Sequence, residues 1–235
     1  MRRQLGASPK NDREAQELYF AVSELLQKGE RLVADAETLG EVLALAPEVE
    51  AYRGKGSQSG AWEFASSVAR LSYRAKERLP PSKKDPDSFP KEDELSAAAG
   101  DALKCLCMLS DHFFERVRGP RVRSRHVAKL RALAWQGLGR ITGICRRPEH
   151  LAHALTVAAN PRAADYEREA AVDFLVEYWG ADAPDKATVQ VLRELESEAV
   201  SRRMLVGVMQ AQINLGLNDE FGALIAVEDW DEENE

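Results

Sequence analysis

The stretch "RVRGPRVRSRHVAKLR", residues 116–131, carries seven Arg or Lys side chains and no carboxylate, in a chain whose formal net charge is -7. The acid-free run continues to Pro148 and gains Arg140, Arg146 and Arg147, so ten cations fall within 33 residues. The other 202 residues hold 22 basic and 39 acidic side chains, and after Arg203 there is no Lys or Arg while eight carboxylates follow. Guanidinium groups offer planar, bidentate donors to carboxylate and phosphate, so the chemistry implied here is anion recognition. A helix optimised for its own stability would place Glu one turn from each cation. This block has none, and its charges repel one another unless an anion lies close: a partner protein, a nucleic-acid backbone or the chain's own acidic tail.

No other constellation offers comparable chemistry. His150 and His153 stand three apart in "PEHLAHAL", five and eight residues beyond Cys145, but a metal needs further converging ligands and none is recognisable. The sequence has no GxSxG, HExxH, GxxxxGK[ST] or strand-following GxGxxG, which leaves out the usual activated nucleophiles and phosphate cradles. "RGKGSQSG" lacks Walker spacing and reads as a loop. The expectation is therefore no catalytic residue, no metal and no cofactor, and a binder in preference to an enzyme. Trp62, Trp135, Trp179 and Phe174 are expected in the core, whereas Trp230, in "VEDWDEENE", reads as a frayed terminus or an aromatic anchor in an acidic tail.

The elements that must present the basic block are helical. With 44% apolar and 30% charged residues the 235-residue chain can bury a core, and apolar positions recur at helical spacing while strand-like alternation is missing. The stripes are Leu18, Ala21, Val22, Leu25; then Leu32, Ala36, Leu39, Leu43, Ala46; then Phe64, Val68, Leu71, Ala75, Leu79; then Leu95, Ala98, Ala102, Leu106, Leu109, Phe113. "PPSKKDPDSFPKED" holds four of the ten prolines and cannot continue a helix. After the basic block come five further amphipathic segments joined by short connections such as "NPRA" and "GADAP", which must pack as antiparallel neighbours. No segment is apolar enough to span a membrane or to serve as a signal peptide. Three cysteines without CxxC spacing argue against a disulfide framework, and a cytoplasmic location is expected.

A spacing R-x-x-A-x-x-x-L occurs at Arg131, Ala134, Leu138 and again 37 residues later at Arg168, Ala171, Leu175; Arg202, Leu205, Met209 echo it 34 residues further on. Periods of that size, two helices each, are those of helical solenoids. Over residues 124–229 the chain resembles the HEAT and armadillo-like repeat proteins, whose first helix often carries an Arg followed by small and apolar residues after a turn such as "NPRAADYER". The resemblance implies an all-α, HEAT-like α-solenoid with a concave surface for a protein partner. The organisation expected is a tail over 1–12, N-terminal helices over 13–79 forming a divergent region, a Pro-rich linker over 80–93, repeats over 94–229 and an acidic tail over 230–235.

On a helical wheel beginning near Ser124, Val127, Leu130, Ala134, Leu138 and Ile141 form the apolar stripe. Arg125, Lys129, Gln136 and Arg140 point the other way, with Arg121 close by and Arg146 and Arg147 in the next turn. Arg131 sits at the stripe's margin and, like Arg168, is expected to pair with a neighbouring carboxylate or a helix C-terminus. The sequence thus predicts a non-catalytic protein-binding or scaffold module that contacts an anionic partner through Arg121, Arg125, Lys129, Arg140, Arg146 and Arg147. The alternative is a nucleic-acid-binding or DNA-repair factor, since some alkylpurine glycosylases are HEAT-like. Against it stand the acidic balance of the chain, the lack of aromatics interleaved with the arginines and the lack of a Trp-Asp catalytic constellation.

Overall fold

The computed structural model describes residues 35–51, 57–77, 79, 97–119, 125–198 and 201–217, with 11, 13, 14, 17, 20 and 24 before them. Among the described residues the chain is all-α, with no strand. It divides into two compact units, Met1–Arg116 and Val117–Glu235. The Pro-rich linker, the acidic tail, Trp230 and Arg121 lie outside the described residues.

The N-terminal unit contains α1 (Ala36–Leu43), α2 (Ala46–Ala51), α3 (Ser57–Glu77) and most of α4 (Ala97–Arg118). Asp35 caps α1 by accepting from the Thr38 amide at 3.0 Å and from its hydroxyl at 2.5 Å. Those bonds, the hydroxyl's first, hold the Asp35 carboxyl below its usual range. The helix therefore starts at Ala36, later than the apolar pattern beginning at Leu32 would place it. α3 starts at Ser57, inside the stretch read as a Gly-rich loop: Ser and Gln tolerate a first helical turn, and the long amphipathic segment behind them carries it. The expected stripe Phe64, Val68, Leu71, Ala75, Leu79 is buried, as are Ala102, Leu106, Leu109 and Phe113 of α4. Trp62 departs from expectation at 39% exposure; it lies on the face of α3 opposite Phe64, and Tyr73, three turns on, is 56% exposed.

The C-terminal unit contains α5 (Arg125–Thr142), α6 (Pro148–Ala158), α7 (Asp165–Trp179), α8 (Lys186–Ser197) and α9 (Arg202–Asn214). Local signals set these bounds. Pro148 opens α6, where its missing N–H costs nothing. Asp185 and Ser201 cap α8 and α9 through the amides of Thr188 and Met204, and Gly180, at φ 53°, ends α7 in a conformation a Cβ would strain. α7 is the centre: it packs on α5, α6 and α9, while α8 packs on α6 and α9. Trp135, Phe174, Leu138, Leu175, Leu192 and Met204 fill the space between them, essentially without exposure.

This core also holds charge. Arg131 is buried, not marginal: it donates to Glu167 at 3.3 Å and to the Gly119 carbonyl, just past the end of α4, at 2.5 Å. Arg168 donates to the Ala158 carbonyl at the end of α6 at 2.9 Å and to Glu198 at 2.8 Å. Both therefore combine a carboxylate with a helix C-terminus, the two partners their spacing suggested. Seating Arg131 turns the first half of α5, so that Ala128 is buried and Val127 and Leu130 are only half-buried. The third echo aligns only at Met209, which is buried. Met204, Val208 and Ala211 are buried while Arg202 and Leu205 are half-buried, and Ser201, the cap, occupies the place that Arg131 and Arg168 hold in their helices.

Candidate functional site

α5 presents its row as the wheel requires. Arg125, Lys129, Gln136 and Arg140 are all exposed along one side of the helix. The Arg125 carbonyl accepts from the Tyr166 hydroxyl at 2.8 Å, which ties the first turn of α5 to that of α7. Arg146 and Arg147 are not continuous with this row. Arg146 bonds Asp182 at 2.5 Å and lies over the rings of Tyr178 and Trp179, 4.5 and 5.2 Å from their centroids. The Asp182 hydrogen bond, opposed by burial and reinforced by Tyr178, holds the guanidinium more firmly protonated than usual. Its own chain thus already supplies the anion. Arg147 is half-buried at the N-cap of α6.

Gln136 and Arg140 form one wall of an open groove of about 840 Å³ whose base is α7 and whose other wall is α9. The sequence of α7, "DYEREAAVDFLVEYW", explains its part. Ala170, Ala171, Phe174, Leu175 and Tyr178 are buried, as are Glu167 and Arg168, so one narrow side remains open to solvent. That side carries Asp165, Glu169, Asp173 and Glu177, each four residues from the last and so stacked on successive turns. The last three line the groove, opposite Arg140 on α5 and Arg202 and Arg203 on α9.

Two glycines bring the walls in. A Cβ on Gly139 would sit 3.3 Å from the Glu177 Cγ, and one on Gly207 would sit 3.5 Å from the Glu169 Cγ. The stems of the carboxylate row therefore lie directly against the bare backbones of α5 and α9. Arg203 neutralises one end of the row, bonding Glu169 at 2.8 Å. Asp173 and Glu177 have no hydrogen bond or ion pair within the described residues. Although its tip still reaches water, the Asp173 carboxyl is pushed up to about 6, first by loss of hydration between the helices and then by Glu169 and Glu177, against the pull of Arg203. Trp135, on α5, also borders the groove; its ring is buried against Phe174 at 5.1 Å, and its Nε1–H has no acceptor among the described residues.

The histidines belong to packing. His150 is fully buried in α6; the ring of His153 stacks on Trp135 at 5.7 Å, and its Nε2 donates to the Val117 carbonyl at 3.1 Å. Among the described residues no group of three or more His, Cys, Asp or Glu is placed to hold a metal, and no helix is long and apolar enough to cross a membrane. Cys105 and Cys145 are buried thiols, and Cys107 is half-buried.

The four-residue period of the carboxylate row is visible in the sequence. What turns it into a site is the close approach of α5 and α9, which the spacing does not display. Comparison with protein families, with curated proteins and with solved structures finds no match to this chain.

Proposed function

We propose that this chain is a non-catalytic, cytoplasmic protein-binding module, its C-terminal unit a HEAT-like stack that receives a segment of a partner protein along the groove of α5, α7 and α9 and engages the partner's acidic groups with Arg125, Lys129 and Arg140. The observation that carries this reading is the position of Arg140. It belongs both to the exposed row and to the groove wall, so a partner lying in the groove meets the row without leaving it. The packing of α7 between α5 and α9, with α6 and α8 in contact with each other, supports a stacked arrangement in which alternate helices share one side. Arg146, already satisfied by Asp182, is left out of the contact set, and Arg147 contributes at most its rim.

The test is a double charge reversal, Arg125→Glu with Lys129→Glu, in the full chain. Proteins captured by the wild type should be retained several-fold less by the variant while the melting temperature stays within about 2 °C, because exposed charges contribute little to folding. Unchanged capture, or a large fall in melting temperature, would show the row to be structural. A titration with duplex DNA discriminates the alternative: affinity that falls steeply with salt would replace the protein partner by a nucleic acid.

A further inference from the structure

Ties between neighbouring layers of the C-terminal unit recur at one step along the chain. Arg131 reaches Glu167, Arg146 reaches Asp182 and the His153 ring meets the Val117 carbonyl, each pair 36 residues apart. Gly139 lies against Glu177 and Gly207 against Glu169, both 38 residues apart, and Arg203 bonds Glu169 across 34; the longer Tyr166 side chain reaches Arg125 across 41. The same step of 36 carries α8, Lys186–Ser197, onto residues 222–233. α8 is open on one side: Pro184, Lys186, Val189 and Arg193 border a hollow of about 540 Å³, with Val189 half-buried and both cations exposed. Neither the Lys186 nor the Arg193 side chain has a hydrogen bond or ion pair among the described residues. The hollow adjoins α9, because Glu196, bonded by Gln212 of α9 at 3.0 Å, stands one turn from Arg193 and two from Val189 on the same side of α8.

The way α9 ends supplies a candidate for that space. The Gly216 amide, at φ 65°, donates to the Ile213 carbonyl at 3.0 Å and the Leu217 amide to the Gln212 carbonyl at 2.8 Å, the paired bonds of a Schellman turn. The sequence that follows, "NDEFGALIAVEDWD" over 218–231, lies outside the described residues. It opens on Asn and Asp, the residues that start helices, and then sets Phe221, Leu224 and Ile225 at helical spacing. A step of 36 brings Ile225 to Val189 and Asp229 to Arg193. Each partner pair is four residues apart in its own segment, so one helix face meets one helix face. Lys186 falls at Gly222, one turn from Asp219. The apolar position is matched by an apolar residue and both cations by carboxylates.

We propose that residues 219–231 of this chain dock on α8 as the next layer of the stack, with Ile225 on Val189, Asp229 on Arg193 and Asp219 on Lys186. This rests on the reading of the unit as a HEAT-like stack, and it adds what covers the open side of α8. The acidic segment is thereby held on α8 instead of α5, so the anion that meets the α5 row has to come from the partner.

Amide hydrogen exchange of the full chain, read by mass spectrometry over residues 219–229, tests the docking. Those amides should exchange about tenfold more slowly than in a free peptide of the same sequence. Arg193→Asp should speed them about fivefold, and Arg193→Asp combined with Asp229→Arg should restore most of the protection, as expected for one exposed ion pair. Val189→Asp, which sets a charge into the apolar contact, should release the segment altogether, while retained protection of α5 and α7 verifies the fold. Exchange at the free-peptide rate, indifference to Arg193→Asp, or a swap that restores nothing would overturn the proposal. Protection that rises with protein concentration would overturn it too, by placing the segment on a second copy. Arg125→Glu with Lys129→Glu keeps the two readings apart. That variant should leave exchange over 219–229 unchanged, so undiminished partner capture sinks the row alone, whereas an unprotected segment beside charge-dependent capture sinks the layer alone.

Discussion

The two units solve the problem of burying polar groups in opposite ways. Among the described residues the N-terminal unit's core is apolar apart from the hydroxyls of Ser72 and Ser110, and Ser72 satisfies itself on the Ala69 carbonyl at 2.6 Å. The C-terminal unit buries Arg131, Glu167 and Arg168 and leaves a row of carboxylates half-hydrated in its groove. The ionisable groups differ in sign as well. His112, on α4, is pushed down to about 4, first by burial and then by Arg116 one turn away, whereas Asp173 is pushed up to about 6. Acid therefore acts on the units in opposite directions. The comparison teaches that an apolar core tolerates many sequences of similar volume, while a core threaded by ion pairs specifies which helix meets which.

The strongest way to break that contrast is Arg131→Ala. It leaves Glu167 buried without its cation and the Gly119 carbonyl without its donor, at a cost of about 3–5 kcal/mol. Chemical denaturation should show the loss, and Arg131→Met combined with Glu167→Leu should recover most of it. A smaller effect follows from His112. Because its folded-state pKa lies below the ordinary 6.5, stability is full above about pH 6.5 and falls as pH drops toward 4, since the unfolded chain takes up the proton first. The loss amounts to about 3 kcal/mol, and His112→Leu should flatten it in a pH series of melting curves. The smallest effect has the opposite sign. Asp173 is destabilising when ionised, so Asp173→Asn should raise stability at pH 7.5 by about 1 kcal/mol after discounting for solvent. That gain should shrink as pH falls through 6 and vanish below about 4, where the wild-type carboxyl is protonated in both states.

Much of the architecture follows from local pattern. The stripe from Phe64 to Leu79 is buried as written, and the positions of Pro148, Asp185, Ser201 and Gly180 account for helix ends. The pairing of Arg131 and Arg168 was legible for a physical reason: an Arg inside an apolar stripe has to find an anion or a carbonyl. What the pattern misplaced was rotation. Burying the Arg131 fork turned Val127 and Leu130 partly out of the core, and Arg202 repeats only the letters, one residue away from the packed register of Met204, Val208 and Ala211. The site was half legible. The basic row of α5 stands out from composition, and Arg125, Lys129 and Arg140 are exposed, but Arg146 is claimed by Asp182, 36 residues on. That distance in sequence is why no local reading could assign the pair. The acidic row is periodic in sequence, yet its character comes from Gly139 and Gly207, which let neighbouring backbones crowd it.

The guanidinium of Arg168 has a consequence for how the C-terminal unit comes apart. It sits on α7 and joins the last turn of α6 to the residue after α8. Peeling α8 away would strand a buried cation, and so would unwinding the end of α6, so neither segment can open cheaply by itself. Stepwise unravelling from one end of the unit is thereby discouraged. Backbone amides of α6, α7 and α8 should exchange with solvent through one shared opening event, locked by a single side chain.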